Sequence, residues 1–94
     1  MDYRLARRLT AESNKRGDEF LKARDLWQNG QRTERLRREC VDTAHRYEAA
    51  LQREIEYLET MEESHERKIA LDRAHIYRRL LARQIHRLEL SLAA

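Results

Sequence analysis

From Leu36 onward the apolar residues recur at spacings of four and three: Leu36, Cys40, Ala44, Tyr47, Leu51, Ile55 and Leu58. That is the period of one face of an α-helix. Ile69, Ile76, Leu80 and Leu88 continue the stripe, and Ala70, Ala74, Tyr77, Leu81, Ile85, Leu88 and Leu92 form a second one beside it. No stretch alternates apolar and polar residues as a half-buried strand would, so the pattern predicts an all-α chain. The N-terminal third is patterned more weakly. Leu5 and Leu9 form one pair, and Phe20, Ala23, Leu26 and Trp27 form a cluster. Between them Thr10 to Glu19 is nearly all polar and includes Gly17. A first helix over about 3–28 is expected to fray or kink at Gly17, or to restart with Asp18 as its cap.

Asn29-Gly30 is the clearest punctuation, because Asn or Gly after a periodic stretch suits the left-handed residue that ends a helix. The turn spans 29–32, after which Thr33 can cap the next helix and Glu34 favours its first turn. From Thr33 to about Leu92 there is neither Gly nor Pro. One helix over 33–92 would run about 90 Å at 1.5 Å per residue. The reading that follows is a single coiled-coil unit over residues 1–94 built of long antiparallel helices, either a helical hairpin or an antiparallel dimer. The alternative is a three-helix bundle with a break near 62–65, where apolar residues thin out and Ser64 can cap a third helix. Its helices would cover about 3–28, 33–61 and 65–92. The stretch 62–65 lacks the usual turn residues, which favours the longer helix.

Composition agrees with a rod better than with a sphere. Charged residues make up 39% and hydrophobic ones 40%, with one Trp and one Phe, so a chain this short has little to bury. The net charge of +3 balances 20 basic against 17 acidic side chains. These charges are segregated. Within 48–66, seven glutamates face only Arg53, a net of −6; within 67–87, seven basic residues face only Asp72, a net of +6. An antiparallel pairing sets each block against its opposite, whereas a parallel one sets like against like. Folding the chain about residue 64 also aligns Leu58 with Ile69, Leu51 with Ile76, Tyr47 with Leu80, Cys40 with Leu88 and Leu36 with Leu92. The expected protein interface is therefore the seam Leu51, Ile55, Leu58, Ile69, Ile76, Leu80, Ile85 and Leu88, packed as knobs into holes. Glu54, Glu62, Arg73 and Arg83 are expected to set orientation. Phe20 and Trp27 are the aromatic anchors for a partner or for the N-terminal helix.

Candidate chemistry is sparse. Glu62-Glu63-Ser64-His65 and Asp72-Arg73-Ala74-His75 each place a carboxylate three residues before a histidine, a spacing used in di-iron bundles, but the further carboxylates those centres need are missing. His65 falls on the seam, where a histidine more often tunes register than binds a ligand. Cys40 sits on the apolar stripe with no catalytic partner placed by motif. No phosphate-binding loop, nucleophile elbow or Cys-x-x-Cys occurs. We therefore expect no enzyme activity, no cofactor and no metal. Two arginine clusters, Arg32/Arg35/Arg37/Arg38 and Arg78/Arg79/Arg83/Arg87, keep nucleic-acid binding as an alternative, although aromatics to stack on bases are few and the second cluster has an acidic block to pair with. The apolar face over 69–92 beside arginines also suits a membrane surface, but no segment is long and apolar enough to span a bilayer. With a lone cysteine and no apolar run after Met1 to Thr10, the expected setting is intracellular and soluble. Ile76-Tyr77-Arg78-Arg79-Leu80-Leu81 resembles the Leu-Tyr-Arg signature of small mitochondrial helical accessory proteins. There the signature lies near the N-terminus with the helical domain after it, and no function is carried over from this fragment. The function expected is that of a structural or adaptor subunit whose partners are protein helices, in itself or in a larger assembly.

Overall fold

The computed structural model describes residues 3–30 and 32–93, with side chains through Glu89. It contains α1 (Arg4–Gln28), α2 (Glu34–Thr60) and α3 (His65–Ala93), with no strand among the described residues. The stretch 33–92 is thus two helices rather than one, and the break falls at residues 61–64. The molecule measures 47 × 20 × 16 Å, about half the length of the continuous rod.

The turn at 61–64 forms without Gly or Pro because side chains do their work. Met61 is extended, with ψ at 157°, which carries the chain out of α2. The Ser64 hydroxyl accepts the Arg67 N–H at 3.1 Å and so caps α3. Arg67 also reaches back, and its Nε donates to the Leu58 carbonyl at 2.8 Å. One of the orphan carbonyls at the end of α2 is thereby satisfied by the first turn of α3. The other turn follows the expected chemistry. Gly30 takes a positive φ of 110°, and Thr33 Oγ1 accepts the Leu36 N–H at 3.2 Å.

Each helix runs antiparallel to the one before it, so α1 and α3 are parallel, and both lie against α2. The core is formed by Phe20 from α1, Ala44, Leu51 and Ile55 from α2, and Ala74, Leu81 and Ile85 from α3, with Tyr47, Leu71 and Leu88 packed against it. Leu58 is buried at one end. The α1 face turned to α2 consists of Ser13, Gly17, Phe20 and Ala23, and such small residues let helix axes approach closely. α1 runs through Gly17 without a break. The glycine is buried because the Tyr47 ring lies against it, and a Cβ there would stand 3.1 Å from Tyr47 Cζ.

The pairing of α3 differs from the fold about residue 64. Ile69, Ile76 and Leu80 are 56%, 51% and 46% exposed, so they do not pack on Leu58, Leu51 and Tyr47. The second stripe turns inward instead, through Ala74, Leu81 and Ile85. At 3.6 residues per turn this is a rotation of roughly a third of a turn. The face of α3 that turns inward shares one core with Phe20 of α1 as well as with α2, whereas a pairing with α2 alone leaves Phe20 out. The Leu36–Leu92 pair lies outside the described side chains.

Candidate helix-docking groove

A polar layer crosses the bundle toward the end that carries the α2–α3 turn. Glu54, on the inward face of α2, has 0% exposure. Two hydroxyls on α1 donate to its carboxylate: Thr10 Oγ1 at 2.6 Å and Ser13 Oγ at 3.0 Å. From α3, Arg73 Nη1 stands 3.7 Å from Glu54 Oε2. Arg73 also donates through Nη2 to Asn14 Oδ1 on α1, and its guanidinium lies over the Tyr77 ring at 5.0 Å. A buried carboxylate is tolerable only when it is paired and hydrogen-bonded, and here each helix supplies part of that pairing. The polar run Thr10 to Glu19, unpromising as core, provides the donors.

Above this layer α1 and α3 do not close on each other. Among the described residues no Cα of α1 comes within 8 Å of a Cα of α3. They are bridged by side chains, Arg73 to Asn14 and Arg24 Nη1 to Gln84 Oε1 at 3.2 Å. The result is an open groove of about 510 Å³ with Tyr47 on its floor, Asn14, Asp18 and Leu21 on one wall, and Tyr77, Leu80 and Gln84 on the other. Leu21, Tyr77 and Leu80 all remain more than two-fifths exposed. A single apolar side chain on a surface needs no explanation, but several lining one concavity mark a binding surface.

The remaining candidate residues are dispersed. Leu51, Ile55, Leu58 and Phe20 are buried in the chain's own core, Ile85 lies at its edge and Leu88 packs on it. Trp27 is half-buried near the α1–α2 turn, with the Arg32 guanidinium over its ring at 5.4 Å. Of the four orientation charges, Glu54 and Arg73 meet each other. Glu62 and Arg83 are exposed, and neither has an ion-pair partner among the described residues. The expectation that the second arginine cluster pairs with the acidic block is corrected in the same way. Arg78, Arg79, Arg83 and Arg87 are exposed, without a carboxylate partner among the described residues. Long side chains pointing to solvent gain too little from pairing to be held in place. In the first cluster Arg37 and Arg38 pair with Glu34 at 3.3 and 3.4 Å.

The Cys40 thiol is buried, donates to the Ala23 carbonyl at 3.1 Å and has its pKa raised by burial. It is held in the protonated form, which is not the nucleophilic one. Glu62, His65, Asp72 and His75 do not gather into a cluster able to hold a metal ion, nor do any three such side chains among the described residues. No helix among the described residues is long and apolar enough to cross a membrane. Sequence reasoning missed Thr10 and Ser13 as partners of Glu54, and Asn14 as a partner of Arg73. The available signal was their spacing, which puts Thr10, Ser13 and Gly17 on one helical face. Comparisons with protein-family models, curated proteins and solved structures find no match to this chain.

Proposed function

We propose that this chain is a non-enzymatic structural or adaptor subunit that assembles with other protein helices by seating a helix between α1 and α3. One observation carries the reading: the outer helices rest on α2 without touching through their backbones, and the gap between them is lined by exposed Leu21, Tyr77 and Leu80. A helix laid there would complete a four-helix arrangement around α2 and shield those side chains from water. The groove opens to solvent between the Arg73–Asn14 and Arg24–Gln84 bridges, which favours an occupant laid on the surface over a small substrate that must be enclosed. The test is titration of the isotope-labelled chain with a designed amphipathic helical peptide, followed by NMR. The expected perturbations are at Leu21, Tyr77 and Leu80, and Leu80→Asp abolishes them. Perturbations confined to other surfaces refute the groove.

A second reading, a basic helical protein that binds nucleic acid or associates with nucleoprotein, is favoured by exposed Arg78, Arg79, Arg83 and Arg87, which have no carboxylate partner among the described residues. It requires duplex or single-stranded RNA or DNA to bind through those arginines, with affinity falling steeply as salt rises.

A further inference from the structure

We infer that the occupant of the groove is an acidic amphipathic helix from another protein, not a second copy of this chain. The inference rests on the docking function proposed above and specifies its partner. The apolar surface of the groove continues along α3 as a narrow stripe, Ile69, Ile76 and Leu80, spaced by seven and four residues. That is the spacing with which one helix reads another in a coiled-coil seam. Arg79 and Arg83 lie along the side of the stripe away from the groove, with Lys68 on the same side, all exposed and without a carboxylate partner among the described residues. Asp72 is the only acid in the whole block 67–87. Positions flanking an apolar seam select partners by charge, so the complementary helix carries Glu or Asp along the side of its apolar face that meets Arg79 and Arg83.

The chain's own surfaces do not meet that description. Its large exposed apolar residues lie on α1 (Leu5, Leu21, Leu26) and on α3. A second α3 would set one block of net +6 against another in either direction. A second α1 brings seven basic and four acidic residues over Arg4–Gln28, a net of +3. The acidic helix, α2, has none of the large exposed apolar residues. Like charges across an interface select against it. A lipid surface is disfavoured by shape: the stripe is narrow, and the Leu21 wall across the groove makes the site concave, whereas a bilayer meets a broad convex face.

The experiment uses the full chain and two labelled helical peptides of about three heptads with identical Leu/Ile seams. One has Glu at the flanking positions and the other Lys, and binding is read by fluorescence anisotropy at about 150 mM salt. The Glu peptide is expected to bind at least about tenfold more tightly than the Lys peptide. Leu80→Asp removes binding of both. Arg79→Glu with Arg83→Glu, both at exposed positions, reverses the preference with an unchanged circular-dichroism spectrum. Equal binding of the two peptides overturns the acidic partner and leaves the groove standing; no binding of either overturns the groove as well. A stable dimer by light scattering that Ile76→Asp dissociates overturns the exclusion of a second copy. Anionic vesicles of phosphatidylserine and phosphatidylcholine, or duplex RNA, bound in preference to the Glu peptide and lost with Arg79→Glu/Arg83→Glu, would overturn a helical partner altogether.

Discussion

Glu54 shows how much one side chain can decide. A carboxylate with no access to water is costly to keep charged unless neighbours replace its hydration. Thr10, Ser13 and Arg73 do so from the two other helices. Any slip of α1 or α3 by one turn would strand the charge, so the layer fixes register between helices whose apolar contacts alone would tolerate sliding. Glu54→Leu is expected to destabilise the fold by about 1–3 kcal/mol, because it leaves buried donors without an acceptor. Arg73→Leu added to it should recover part of that loss, since the guanidinium then no longer faces an apolar neighbour. Urea unfolding of both single variants and the double variant gives the coupling directly. Purely additive effects would mean that Glu54 and Arg73 do not act as a pair.

At the scale of the helices, the two turns use different devices. The turn between α1 and α2 is written in backbone terms, with Gly30 at positive φ and Thr33 as cap. The turn between α2 and α3 is written in side chains. Ser64 and Arg67 supply bonds that an uninterrupted helix would make for itself. Residues 61–64 include no helix breaker, so helix and turn are close in energy there. Ser64→Ala alone should cost about 1 kcal/mol. Ser64→Ala with Arg67→Ala should let α2 and α3 fuse, and a fused helix can satisfy its core only by exchanging α3 with a second molecule. The expected result is a concentration-dependent dimer by light scattering. A double variant that stays monomeric at high concentration shows that Met61 or the packing of α3 holds the break instead.

For the whole molecule, burial separates the residues that hold the fold from those that face outward. Leu58 is 3% exposed and Leu80 is 46% exposed, although both belonged to one expected seam. Truncating a buried Leu to Ala costs about 2–5 kcal/mol, and placing an unpaired carboxylate there costs more. A bundle this small has about 5 kcal/mol to lose. Leu58→Asp should therefore abolish the cooperative melt by circular dichroism, whereas Leu80→Asp should move its midpoint by no more than a few degrees. A folded Leu58→Asp variant would remove Leu58 from the core. The segregated charges also act at this scale. Among the described residues only Glu54 and Arg73 join the two blocks as an ion pair, and the other basic residues of 67–87 leave α3 with a positive surface.

The sequence by itself determined what depends on near neighbours. The 4–3 spacing specified helix, Asn29-Gly30 and Thr33 placed the first turn, and the stripe from Cys40 to Leu58 became the inward face of α2. It also supplied Ser64 as the cap and singled out Glu54 and Arg73, two charges that the fold brings together. These follow from period, backbone freedom and capping, all local along the chain. What α3 buries was settled only by the tertiary structure. Both its stripes are apolar, and the one that is buried shares a core with Phe20 of α1, a residue that two-helix reasoning leaves out. The same holds for Gly17, whose burial records the approach of Tyr47, and for Thr10 and Ser13, polar residues that become partners of a buried carboxylate only when Glu54 is brought to them from another helix. The groove between α1 and α3 is likewise a property of three helices at once. Periodicity tells each helix which residues it can bury, and the packing of a third element decides which it does.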